Sequence, residues 1–126
     1  MHMDKKTILI VDDHADTRLV LSARLKAHHY HTVFAADALQ AMSVAQKERP
    51  DAILLDLGLP GGNGLIVLQR FKANTSLTGI PVIIVTAEDP LVAEGRTIEA
   101  GAVAFLQKPV DQDKLLAAVQ EAMGTT

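Results

Sequence analysis

Five polar residues each stand just past a short apolar run, and their types make a coherent chemical set. Asp12 and Asp13 follow Thr7 to Val11, Asp56 follows Ala52 to Leu55, and Thr86 follows Ile80 to Val85. Lys108, with Pro109 after it, comes just beyond Val103 to Leu106. Carboxylates brought within a few ångströms of one another repel by several kcal/mol at an intermediate effective dielectric, so they bind a proton or recruit a cation. A hard divalent ion answers best, because Mg2+ takes oxygen ligands, keeps several waters and commonly sits between carboxylates and a phosphate. A carboxylate partly neutralised in this way is still a nucleophile toward phosphorus. Asp56 would then accept a phosphoryl group as an aspartyl-phosphate, with the metal and Lys108 offsetting charge on its oxygens and Thr86 donating a hydroxyl to one of them.

The runs that lead into these residues, together with Tyr30 to Phe34, read as five strands, being short, apolar and rich in branched side chains. Helical patterns with end signals separate them. Asp13 can cap the first, and Asp37 a second that stops before Pro50. Asn63 can cap a third reaching about Asn74, with Leu65, Leu68 and Phe71 along one face. Asp89-Pro90 is a cap followed by proline at the first helical position, and Gly101 closes that helix where a left-handed residue is wanted. A last helix is expected from about Asp111 to Gly124, burying Leu116, Val119 and Met123. Strict alternation with nearly continuous apolar strands implies an α/β fold: one doubly wound, five-stranded parallel sheet with helices on both faces. Such sheets hold their sites at the carboxyl ends of the strands. Those ends are where the five polar residues fall.

Composition narrows the class of protein. The 126 residues suit one domain, and neither a repeat nor a linker interrupts them. The formal net charge of −3 lacks the basic footprint that direct nucleic-acid binding needs. No apolar run approaches the roughly 18 residues of a membrane span, which argues against membrane insertion. The chain has no cysteine, so disulfide frameworks and thiolate metal sites are excluded, in keeping with a cytoplasmic location. Met1-His2-Met3 reads as a cloning remnant, so residues 1–5 are expected to be an N-terminal extension, 6–123 the domain and 124–126 a tail.

Four segments together carry a specific resemblance: "ILIVDDH" at Ile8 to His14, "LLDLGLPGGNG" at Leu54 to Gly64, "IIVTAE" at Ile83 to Glu88 and "AGAVAFLQKP" at Ala100 to Pro109. The chain is similar, from about Lys6 to Met123, to receiver domains of the two-component response-regulator family, chemotaxis regulators among them. The resemblance implies the flavodoxin-like strand order 2-1-3-4-5 and a phosphoacceptor at Asp56. It further implies Mg2+, with Mn2+ as a substitute, on Asp13, Asp56 and the backbone carbonyl of Gly58, with Asp12 acting largely through bound water. Thr86 and Lys108 would contact the phosphoryl group, Thr86 and Phe105 would form the switch, and the Lys108-Pro109 bond would be cis, which proline allows at small cost. The donor would be a histidine kinase or a histidine phosphotransfer protein. The chain would support its own phosphorylation and dephosphorylation without being a metabolic enzyme, and would change the surface of helix 4, strand 5 and helix 5 toward an output partner that the residues do not identify.

Departures from the family pattern carry their own expectations. Gly61-Gly62 frees the backbone after the phosphoacceptor. Gly58 and Glu88 flank the path of an attacking water and are expected to tune the phosphoryl lifetime. Leu91, Val92, Ile98 and Leu115 could supply apolar contacts on the output face, while Phe105-Leu106-Gln107 lacks the charges that the family's winged-helix transcription factors carry there. His28, His29 and His31 read as imidazoles at a helix end rather than metal ligands, and His14 as a rim residue. Two other classes fit less well. A dehalogenase-like phosphohydrolase would place Asp-x-Asp after the first strand, and a flavodoxin-like cofactor binder would need a glycine- and hydroxyl-rich loop where "DDHADTR" stands.

Overall fold

The computed structural model describes residues 5–60 and 64–124. Five strands and five helices alternate: β1 (Thr7–Val11), α1 (Ala15–Lys26), β2 (His31–Ala35), α2 (Ala38–Glu48), β3 (Ala52–Leu55), α3 (Gly64–Ala73), β4 (Val82–Thr86), α4 (Pro90–Glu99), β5 (Ala104–Gln107) and α5 (Gln112–Ala122). Every pairing is parallel and the order is β2-β1-β3-β4-β5.

The strands are apolar throughout because both faces are covered. Leu9, Val11, Ile53, Leu55, Val82 and Ile84 pack with Ala41 and Ala45 of α2, Val67, Leu68 and Phe71 of α3 and Ala93 of α4. The alternate residues Ile8, Ile10, Leu54, Ile83 and Val85 pack with Leu21 and Leu25 of α1 and Leu115 and Val119 of α5. Side chains two apart share a face of a strand, so the period of two divides one apolar run between two cores.

Helix ends follow their signals. Asp37 accepts from the Gln40 amide, Asp89 from Leu91 and Asp111 from Lys114, each satisfying a donor that a helix start leaves open. Gly101, at φ 111°, takes the left-handed position after α4. Asn63, Gly61 and Gly62 lie outside the described residues, as do Met1 to Asp4 and the last two threonines.

Several expectations shift. β2, β4 and β5 begin one or two residues later than the apolar runs do, so Thr86 closes β4 instead of following it. His31 belongs to β2, not to a helix end. Leu115, expected on the surface, is fully buried. Capping at Asp111 turns the Leu115/Val119 pair inward and leaves Leu116 and Met123 half-buried at its flank. Leu91, Val92 and Ile98 are exposed as expected.

Candidate functional site

The polar residues meet because the ladders run on past the last apolar residue. The Asp56 amide donates to the Val11 carbonyl at 3.0 Å, the Asp12 amide to Ala35 at 3.1 Å, and the Lys108 amide to Thr86 at 2.8 Å. These bonds set the first residues beyond β1, β3 and β5 side by side at the carboxyl edge. Asp12 is 2% exposed and Asp56 is 6% exposed. The Lys108 ammonium lies between them, donating to Asp12 Oδ2 at 2.7 Å and to Asp56 Oδ2 at 3.1 Å.

Burial works against that ammonium, but hydrogen bonds and charge from Asp12 and Asp56 outweigh it, and the Lys108 pKa rises above the ordinary lysine value. A raised lysine pKa gives stability that is fully present below the unfolded value of about 10.4 and lost only as pH climbs through the higher folded one. Lys108 is therefore a fixed cation at neutral pH.

The remaining oxygens are unequal. Asp56 Oδ1 accepts from the Gly58 amide at 3.1 Å, and Asp12 Oδ1 accepts from the His14 amide at 2.8 Å. Arg18, which gave no signal in the sequence, reaches back from α1 to donate to the Asp12 carbonyl at 2.7 Å and pins the loop. Asp13 does not cap α1. The N-cap is His14, whose own side chain makes no capping bond. Capping calls for a side chain that folds back over the helix start, whereas Asp13 faces the site, where its Oδ1 is buried without a hydrogen-bond partner. His14 Nδ1 lies 3.2 Å from that oxygen and equally far from Asp12 Oδ1.

The Lys108 ammonium thus bonds two of three clustered carboxylates, and a buried oxygen of the third lacks a hydrogen-bond partner. The ligand atoms of Asp12, Asp13, His14 and Asp56 all lie within 4.8 Å of one another. Hard oxygen donors with surplus negative charge fit Mg2+. Gly58 leaves one side of the Asp56 carboxylate uncovered, since a Cβ there would make van der Waals contact with Oδ1 at 3.7 Å. Asp13→Asn is expected to raise metal-free stability by about 1 kcal/mol by relieving repulsion, and to remove the stabilisation that Mg2+ adds. Thermal melts in chelator and in Mg2+ measure both effects, and an unchanged Mg2+ response would exclude Asp13 as a ligand.

Thr86 is 1% exposed, and its hydroxyl meets only a long contact from the Glu88 amide at 3.4 Å. Phe105, paired with Ile84 on β5, is half-buried against the α2–α4 core, on the face to which the alternation of β4 also assigns Thr86. The Glu88 carboxylate turns to Arg96 of α4, at 3.8 Å. Lys108-Pro109 is cis. His28 lies 3.4 Å from the Gln112 side chain and stands apart from the acidic site. No helix among the described residues is long and apolar enough to cross a membrane.

Residues 8–120 match the family model described as the response regulator receiver domain. The chain is 39% identical over 119 residues to sporulation initiation phosphotransferase F of Bacillus subtilis (strain 168), covering 94% of each. It is 40% identical over 114 residues to the response regulator PleD of Caulobacter vibrioides, spanning 90% of this chain and 25% of that longer relative. Among solved structures it resembles the receiver domain of a sensor histidine kinase from Pseudomonas aeruginosa PAO1, a crystal structure with a magnesium ion coordinated in the active-site cleft. The TM-score is 0.87 at 29% identity, covering 97% of this chain and 100% of that one.

Proposed function

The chain belongs to the response regulator receiver domain family, and from that premise we propose that it is a phosphoacceptor switch in which Asp56 takes the phosphoryl group. Receiver domains of two-component systems are phosphorylated on an aspartate by histidine kinases or phosphotransfer proteins. The observation that carries the assignment to Asp56 is its placement: it is buried at the carboxyl edge, one oxygen on Lys108 and the other on the Gly58 amide.

In the proposed transfer an Asp56 oxygen attacks phosphorus while the bond from phosphorus to the donor imidazole breaks, its electron pair staying on the nitrogen. Mg2+ held by Asp13, Asp56 and the Gly58 carbonyl, with Asp12 acting largely through bound water, would neutralise charge on the phosphoryl oxygens. Lys108, already charged and held at 2.7 Å and 3.1 Å from the two acids, turns to the new anion without a proton transfer. Thr86, which closes β4 at the same edge, carries a buried hydroxyl with little to release, only the 3.4 Å contact. Its shift toward the phosphoryl group would vacate space for Phe105, changing the populations of the α4, β5 and α5 surface rather than the fold.

The test is incubation with acetyl phosphate and Mg2+, followed by intact mass. One hydroxylamine-labile phosphoryl per chain is expected, strongly suppressed by chelator. Steady turnover of phosphomonoesters without a stable adduct would identify a hydrolase instead.

Gly58 and Glu88 set the lifetime in this reading. A side chain at Gly58 would stand against the Asp56 carboxylate, so Gly58→Asn lengthens the phosphoryl half-life, and Glu88→Ala, which removes the carboxylate two residues past Thr86 and its hold on Arg96, shortens it. Each change is of order threefold, about 0.6 kcal/mol in barrier. Half-lives followed by mass after removing the donor decide the matter, and unchanged values in both variants would overturn it.

A further inference from the structure

His14 caps α1 by position, yet its ring does none of the capping. It folds toward the acids, with Nδ1 3.2 Å from Asp12 Oδ1 and 3.2 Å from Asp13 Oδ1. The second of these oxygens is buried and has no hydrogen-bond partner. Ligand atoms at about 2.1 Å from a shared tetrahedral ion stand roughly 3.4 Å apart. His14 Nδ1 already stands at about that separation from Asp12 and Asp13. The four donors of Asp12, Asp13, His14 and Asp56 lie within 4.8 Å of one another, so the widest pairs must close by roughly 1 Å to share one centre. The His14 side chain is 66% exposed, so its ring can follow that contraction at little packing cost.

We propose that His14 is a ligand of the acidic site, adding a nitrogen donor that admits a first-row transition ion such as Zn2+ or Co2+ in competition with Mg2+. The proposal rests on the metal site of the preceding section and specifies which further ions that site takes. Imidazole nitrogen adds little for Mg2+, which prefers oxygen and holds its waters, but it contributes strongly to Zn2+ and Co2+. An ion held by the four side chains draws on an Asp56 oxygen and fills a tetrahedral sphere, leaving no position for a phosphoryl oxygen. Transition ions therefore oppose the acceptance that Mg2+ supports, and His14 sets how strongly.

The experiment is calorimetric titration of the full chain with MgCl2, ZnCl2 and CoCl2, for the unaltered protein, His14→Gln and Asp13→Asn. His14→Gln is expected to weaken Zn2+ and Co2+ binding tenfold or more while Mg2+ affinity stays within twofold. A His28→Gln/His29→Gln/His31→Gln variant is expected to keep the high-affinity Zn2+ site. Proton NMR of the Co2+ protein supplies a second reading, a hyperfine-shifted imidazole N–H that disappears in His14→Gln. Zn2+ affinity unchanged in His14→Gln, or lost equally with Mg2+, or the shifted resonance persisting there, overturns the proposal. Mg2+ binding that survives Asp13→Asn would instead overturn the underlying site, whatever His14 does.

Discussion

Asp56→Asn is expected to abolish phosphoryl incorporation from acetyl phosphate, by more than about a thousandfold, because an amide oxygen at the same place is neither anionic nor able to form a stable acyl phosphate. The substitution keeps the shape of the side chain and can still accept from the Gly58 amide, whose bond to Oδ1 is 3.1 Å long. The fold should therefore survive, and circular dichroism would show it. Lys108 keeps Asp12 at 2.7 Å as a partner, so its charge is not stranded. An adduct that persists in Asp56→Asn with undiminished yield and the same hydroxylamine lability would move the acceptor elsewhere and remove the basis of the proposed function.

Gly64→Ala is expected to cost about 2–4 kcal/mol of stability, although alanine ordinarily favours a helix over glycine by up to about 1 kcal/mol. The reason is contact. Gly64 opens α3 directly over the turn after β3, its amide donating to the Leu57 carbonyl at 2.8 Å. A Cβ would overlap the Asp56 carbonyl oxygen and lie 2.6 Å from Leu57 Cα and 3.0 Å from the Asp56 carbonyl carbon. Backbone on both sides leaves nothing flexible to yield, so α3 or the Asp56 turn must move. Weaker Mg2+ binding should accompany the loss of stability. Gly95→Ala is the control, because that position lies within α4 with nothing inside 4 Å of the added Cβ, and it should gain about 0.5–1 kcal/mol. Urea unfolding of the two variants compares them, and equal stability would refute the close-approach argument.

The fold was legible because it is written in the period of the apolar residues and in punctuation. Runs buried on both faces read as strands, and Asp37, Asp89, Asp111 and Gly101 mark helix ends by chemistry that is local to them. What could not be read is phase. Whether Leu115 or Leu116 faces the sheet depends on a one-residue difference in how α5 starts, and both are leucine. The acids and Lys108 were legible as strand-end residues out of pattern with the runs before them. The roles of Arg18 and His14 were not, since each depends on how a side chain bends back over the β1–α1 turn, which no spacing encodes. Asp13 misled because aspartate just before a helix is among the favoured caps, and here the side chain joins the acidic cluster instead.

The ammonium of Lys108 bonds to partners 96 and 52 residues earlier in the chain. During synthesis the acids just past β1 and β3 emerge well before this counter-charge, and they meet each other and Lys108 only when the sheet forms. Loop closure over such distances is the slow, entropically costly part of assembly. The acidic cluster is therefore complete only once the edge strand has joined the sheet and brought Lys108 to Asp12 and Asp56.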